Sequence, residues 1–200
     1  MIEIMDELGW VQRTVAAGGG SVGVLLKRRY DADAEDVWDA LTDPERVRRW
    51  FLPLTVDARV GGAFQLEGNA GGEILACDPP KLLRVTFGGE TSIVELRLTP
   101  DGDATTLELE HTVPVELAGS GAGALFVGPG WDGALLGLGL YLAGEAPEDP
   151  AAAASSPEVQ EFSKRSAHLW AAAALASGTA TQEQVDQALA MSLGHFSPDV

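Results

Sequence analysis

The chain has 200 residues, with 13 basic and 30 acidic side chains and a formal net charge of −17. Its 46% hydrophobic and 22% charged residues are the composition of a folded domain with a sizeable core, not of a disordered acidic tail. So acidic a chain excludes nucleic acid, whose binding depends on Lys and Arg neutralising phosphate, and it is repelled by anionic membranes.

Residues 2–15 read as a short amphipathic helix with Ile2, Met5, Leu8 or Gly9, and Val15 loosely on one face, ended by the glycines at 18–20. Residues 21–30 alternate as a strand, with Val22, Val24 and Leu26 on one side. Asp33 can cap a helix whose first turn carries Glu35 and Asp36. Asp43-Pro44 opens a second, short helix running to about Trp50. The period then changes to two. Residues 54–60, 63–67, 72–77, 82–87, 92–98 and 105–113 are short strands, punctuated by glycine pairs, Asp78-Pro79-Pro80 and Asp101-Gly102. Such spacing predicts an antiparallel meander, with Val94, Leu96 and Leu98 sharing a face and Leu107, Leu109, His111 and Val113 sharing another.

Residues 131–142 form an almost wholly apolar helix. Trp131, Leu135, Leu138 and Leu142 make one stripe, and Gly130, Gly133 and Gly137 make another. Each interior glycine costs a helix about 1 kcal/mol relative to alanine. The glycine stripe therefore implies close packing on the sheet or room for something bound. Residues 145–155 are a linker by composition. Two more helices follow, one opened by Ser156-Pro157 and one by the capping box Thr181 to Gln184. The expected organisation is an N-terminal helix and glycine linker (1–20), a main domain (21–144), the linker (145–155) and a helical extension (156–200).

The lone Cys77 cannot form an internal disulfide, and Met1 to Glu7 carries acids where a secretory signal is basic, so a cytoplasmic protein is expected. The apolar run 133–143 is well short of the ~20 residues that span a bilayer. Gly18 to Gly23 matches GxGxxG and GxSxG, but both motifs need a strand before and a helix after, the reverse of the order here. His111, His168 and His195 lie far apart with no metal-ligand spacing, so neither metal nor cofactor is expected. Cys77 reads as a buried structural thiol. His111, on an inward face, must find a partner or line a cavity, as a satisfied core histidine or as a ligand-contacting or acid/base group. Lys27-Arg28-Arg29 and Arg46/Arg48/Arg49 read as solvated faces pairing with acids such as Asp31, Asp33 and Glu45, or else as a patch for an anionic ligand or a docking protein.

Val37-Trp38-Asp39-Ala40-Leu41-Thr42-Asp43-Pro44-Glu45 followed by Trp50-Phe51 resembles the signature of the activator-of-heat-shock-protein-90-ATPase homologues, within the START-like, or SRPBCC, superfamily. The resemblance continues in order through Gly61-Gly62, Phe64, Gly72 to Leu75, Asp78-Pro79-Pro80, Thr86-Phe87, Thr106 to His111 and Gly130-Trp131, and covers residues 22–144. It implies an α+β helix-grip fold, a curved antiparallel sheet around a long C-terminal helix, here with additional C-terminal helices. It also implies a cavity for a small apolar or amphipathic ligand, lined by Trp50, Phe51, Phe64, Phe87, His111, Trp131, Leu135 and Leu138. A non-catalytic binding module is the leading expectation. The alternatives are a chaperone ATPase regulator or other interaction module, and a cyclase or hydrolase using His111 with Glu73. The C-terminal helices either pack on their own core or mediate a homodimer.

Overall fold

The computed structural model describes residues 3–200. Asp6–Trp10 is a 3-10 turn, followed by β1 (Val11–Gly18), β2 (Ser21–Tyr30), α1 (Ala34–Thr42) and α2 (Pro44–Val47). A meander of β3 (Leu54–Val56), β4 (Ala63–Leu66), β5 (Gly71–Asp78), β6 (Leu82–Thr86), β7 (Ile93–Asp101) and β8 (Ala104–Pro114) comes next. Then come α3 (Val115–Ala118), a 3-10 segment (Gly121–Phe126), α4 (Gly128–Leu142), α5 (Pro150–Ala154), α6 (Pro157–Ala176) and α7 (Gln182–Phe196). The strands form one curved antiparallel sheet in the order β1-β2-β8-β7-β6-β5-β4-β3. The chain crosses from β2 to the far edge through α1 and α2, and α4 lies across the sheet's concave face. This is the START-like helix-grip fold.

The helix starts follow the sequence. Asp33 accepts the Asp36 N–H, Asp43 accepts the Glu45 N–H with Pro44 in the first turn, and Thr181 and Gln184 form the expected capping box. The N-terminal segment does not. In place of a helix over 2–15, Val11–Gly18 pairs with β2 residue for residue, from Val11 against Arg28 to Gly18 against Ser21. Val11 and Val15 are both buried, and a spacing of four puts two residues on one side of either a helix or a strand. The open edge of β2 decides for the strand, since its backbone groups need partners. Gly19 and Gly20, at φ 62° and 83°, make the tight turn between the two strands. Ile2, assigned to the helical face, lies outside the described residues. The linker also differs from expectation, because Asp149 caps the short helix α5 within it.

The C-terminal helices turn their apolar faces onto their own domain. Phe162, Ala167, Trp170 and Ala174 of α6 and Val185 and Ala188 of α7 are buried. The interface with α4 is polar at its centre. Asp132, 1% exposed, accepts hydrogen bonds from Arg13 Nε of β1 at 2.8 Å, from the Trp170 indole N–H at 3.0 Å and from the Ser166 hydroxyl.

A second buried cation holds the middle of α4. Arg28 pairs with Glu7 and donates to the Leu135 carbonyl at 3.0 Å, which also accepts the Tyr30 hydroxyl at 3.0 Å. The helix comes so close to these partners that side chains are excluded. A Cβ on Gly139 would lie 2.4 Å from the Arg28 guanidinium, and one on Gly137 would lie 2.8 Å from the Trp50 carbonyl oxygen. Gly133, by contrast, faces open space. The glycine stripe thus mixes a position that needs glycine with one that does not. We expect Gly137→Ala to lower the unfolding free energy by about 1–3 kcal/mol through steric strain. Gly133→Ala should raise it by up to about 1 kcal/mol through helix propensity. Urea unfolding of the two variants measures both.

Candidate functional site

Between α4 and the sheet lies a chamber of about 340 Å³. Its floor is built by strand parity. Val94 and Leu96 of β7, Leu107 and Leu109 of β8, and Leu83 and Val85 of β6 all point to the concave side. Its roof is Trp131, Ala134, Leu135 and Leu138 of α4, and its far walls are Trp38 of α1, Trp50 and Phe51 after α2, and Phe64 of β4. The aromatic rings brace one another. Trp50 stacks on Phe51 at 5.4 Å between centroids, Phe64 on Phe87 at 6.3 Å, and Phe87 meets Trp131 at 5.2 Å. Several polar groups in these walls already have partners in the protein. The Trp50 indole donates to the Ala40 carbonyl, and the Thr42 hydroxyl to the Trp38 carbonyl.

Of the eight residues expected to line a cavity, Trp50, Phe51, Phe64, Phe87, Trp131, Leu135 and Leu138 border this chamber. His111 does not. It is buried beside it and borders a second, smaller space. Sequence reasoning did not single out Trp38 and Ile74, although both carry apolar side chains on inward faces.

His111 is fully partnered. The Trp131 indole N–H donates to its Nδ1 at 3.0 Å, and its Nε2 lies 2.8 Å from the Ser92 hydroxyl. An indole nitrogen only donates, so Nδ1 is the acceptor. In the neutral ring the proton is then on Nε2, pointing at Ser92. Burial pushes the imidazole down to about pKa 4, which keeps it neutral. In this tautomer His111 cannot take the Ser92 proton, so the two do not make an activated nucleophile. Nor does Glu73 complete an acid/base pair. It is exposed, on the opposite side of β5 from the buried Ile74, because successive strand residues alternate in direction.

The remaining candidates are placed as follows. Cys77 is exposed instead of buried, at the rim of the chamber near the end of β5. Lys27 pairs with Glu108, Arg29 with Asp31 and Asp101, Arg46 with Asp36 and Arg48 with Glu45, as solvated faces do. Arg28 is the exception. Its parity with Val24 and Leu26 sends it inward, a signal present in the sequence but masked by its charged neighbours. Among the described residues no three His, Cys, Asp or Glu side chains are grouped to hold a metal ion, and no helix is long and apolar enough to cross a membrane.

The helix-grip architecture and the chamber under α4 define a START-like domain. Residues 31–143 match the family model of the Activator of Hsp90 ATPase homolog 1-like proteins, and the chain belongs to that family. It is similar to CalU16 from Micromonospora echinospora. The crystal structure of that protein shares 37% identity over 82% of this chain and 98% of CalU16, at a TM-score of 0.67. The solution structure of CalU16 gives a TM-score of 0.70 over 84% of this chain and 96% of CalU16. DynU16, from the dynemicin biosynthetic locus, is 26% identical over 64% of this chain and 49% of its own, at a TM-score of 0.56. No curated protein matches the chain.

The environment of His111 has a measurable consequence. Below about pH 6.5 the unfolded chain gains a proton on His111 that the folded protein refuses until about pH 4, so stability falls as pH drops through that window. The total loss from this group is up to about 3 kcal/mol. Urea midpoints across this range should fall less steeply in His111→Gln than in the natural protein.

Proposed function

We propose that the chain binds a small apolar or amphipathic molecule in the chamber beneath α4, without carrying out chemistry on it. One observation carries this reading. A folded domain with a closely packed helix keeps a space of about 340 Å³ whose walls are almost wholly aliphatic and aromatic. Native interiors hold few voids larger than a water molecule, and pockets of such volume and lining are the usual form of small-molecule sites. The wall polar groups that already have partners favour an apolar body. A polar end fits the mouth, where Asp43 and Cys77 are exposed. The likeness to DynU16, a protein of a biosynthetic locus, fits a small organic ligand. In this reading the protein acts in the cytoplasm, where the exposed Cys77 thiol stays reduced.

Native mass spectrometry of the purified chain, followed by solvent extraction, is expected to show one apolar molecule per chain, or one taken up on titration with apolar probes. Ala134→Trp, which fills the chamber from α4, should cut binding at least tenfold with the fold intact by circular dichroism. Ligand should also slow the alkylation of Cys77. An unmodified chain that takes up no apolar molecule even at millimolar concentration would overturn the proposal.

A further inference from the structure

His111 and Trp131 stand between two compartments. Ile74, Val85 and Val94 occupy one row across the sheet and look into the larger chamber. The next residues of the same row, His111 and Val24, border a second space of about 180 Å³. The change comes at the same place along β8, where Leu107 and Leu109 line the first compartment and His111 and Val113 the second. It recurs along the helix, where Trp131 is the last contributor to the first and Val127, just before α4, lines the second. Three rings meet at this boundary, with Phe87 and His111 5.8 Å apart and His111 and Trp131 5.7 Å apart. The exposed wall residues Asp43, Ala58, Cys77 and Pro79 mark the opposite, open end of the larger chamber.

The partition is tied down. Trp131 is hydrogen-bonded to His111, and His111 to Ser92 just before β7, so the indole is pinned to the sheet. The geometry points to Trp131, held by the Ser92–His111 pair, as the residue that sets ligand length. An unbranched apolar chain enters at the Asp43–Pro79 mouth and ends against the indole. Removing the indole joins the second compartment to the first. This inference rests on the larger chamber being the ligand site.

The test is a homologous series of straight-chain primary alcohols titrated into the full chain. Affinity should rise by about fourfold per methylene while the added carbons are buried, then stop when the chain reaches Trp131. In Trp131→Ala and in the milder Trp131→Leu the rise is expected to continue for several more carbons. Adding Val113→Trp to Trp131→Ala, which refills the second compartment, should restore the natural limit. Ser92→Ala leaves the cavity walls intact, and it should relax the limit for long alcohols while short ones bind as before. The same length limit in the natural protein and in both Trp131 variants would overturn the inference. If the natural protein binds no alcohol at all, the binding reading itself fails, and xenon-pressurised crystals of Trp131→Ala decide the inference separately. Xenon density running unbroken through both compartments supports it, and two separated sites overturn it.

Discussion

The buried Arg28 guanidinium beside the middle of α4 is the interaction on which the rest of the structure leans. Helix α4 is apolar almost all round, so hydrophobic burial alone does not choose its rotation or its height above the sheet. Directional bonds do. Arg28, with Glu7 as its counter-ion and the Tyr30 ring 4.7 Å from its charge, holds the Leu135 carbonyl from one side. Arg13, Ser166 and Trp170 hold Asp132 from the other. Burying such charges is costly unless they are paired and bonded, and their gain is a defined geometry more than net stability. Tyr30 contributes as a neutral phenol, since burial raises its pKa well above the ordinary value.

With α4 fixed by its polar side, its apolar side is free to face an incompletely filled space. The walls formed by Trp50, Phe51, Phe64, Phe87 and Trp131 do not collapse into that space because these rings rest on one another. The Trp50 indole bonds the end of α1, and its carbonyl presses on Gly137. The extension after residue 155 belongs to the same device, since two of the three groups that bond Asp132 come from α6.

Much of this was legible in the sequence. The meander showed in its period of two and its turn residues, the helix starts in Asp33, Asp43 and Thr181, and the chamber walls in strand parity combined with the family resemblance. Three features were hidden for physical reasons. Val11 and Val15, four apart, suit a helix and a strand equally, and only the hydrogen-bonding edge of β2 resolves them. Arg28 sits between two solvated cations, so composition outweighed its inward parity. Asp132 is a single acid in an apolar helix, and its partners lie 119, 34 and 38 residues away, beyond the reach of any local pattern. Strand parity turns His111 inward, but Ser92 and Trp131 as its partners are not visible without the fold.

The acidic balance acquires a location in the same way. Among the described residues, nine of the eleven basic residues of the first half are engaged in ion pairs, and two of these, Arg13 and Arg28, are buried, whereas the helical extension carries five acids and two bases. The central claim is that the buried cation holds α4 where a chamber remains beneath it. The paired replacement Glu7→Leu with Arg28→Met tests this most directly, because it removes both charges and leaves neither unpartnered. The account predicts a cooperatively folded protein whose binding of an apolar probe is at least tenfold weaker, as α4 settles onto the sheet. A folded double variant that binds the probe as tightly as the natural chain would contradict it.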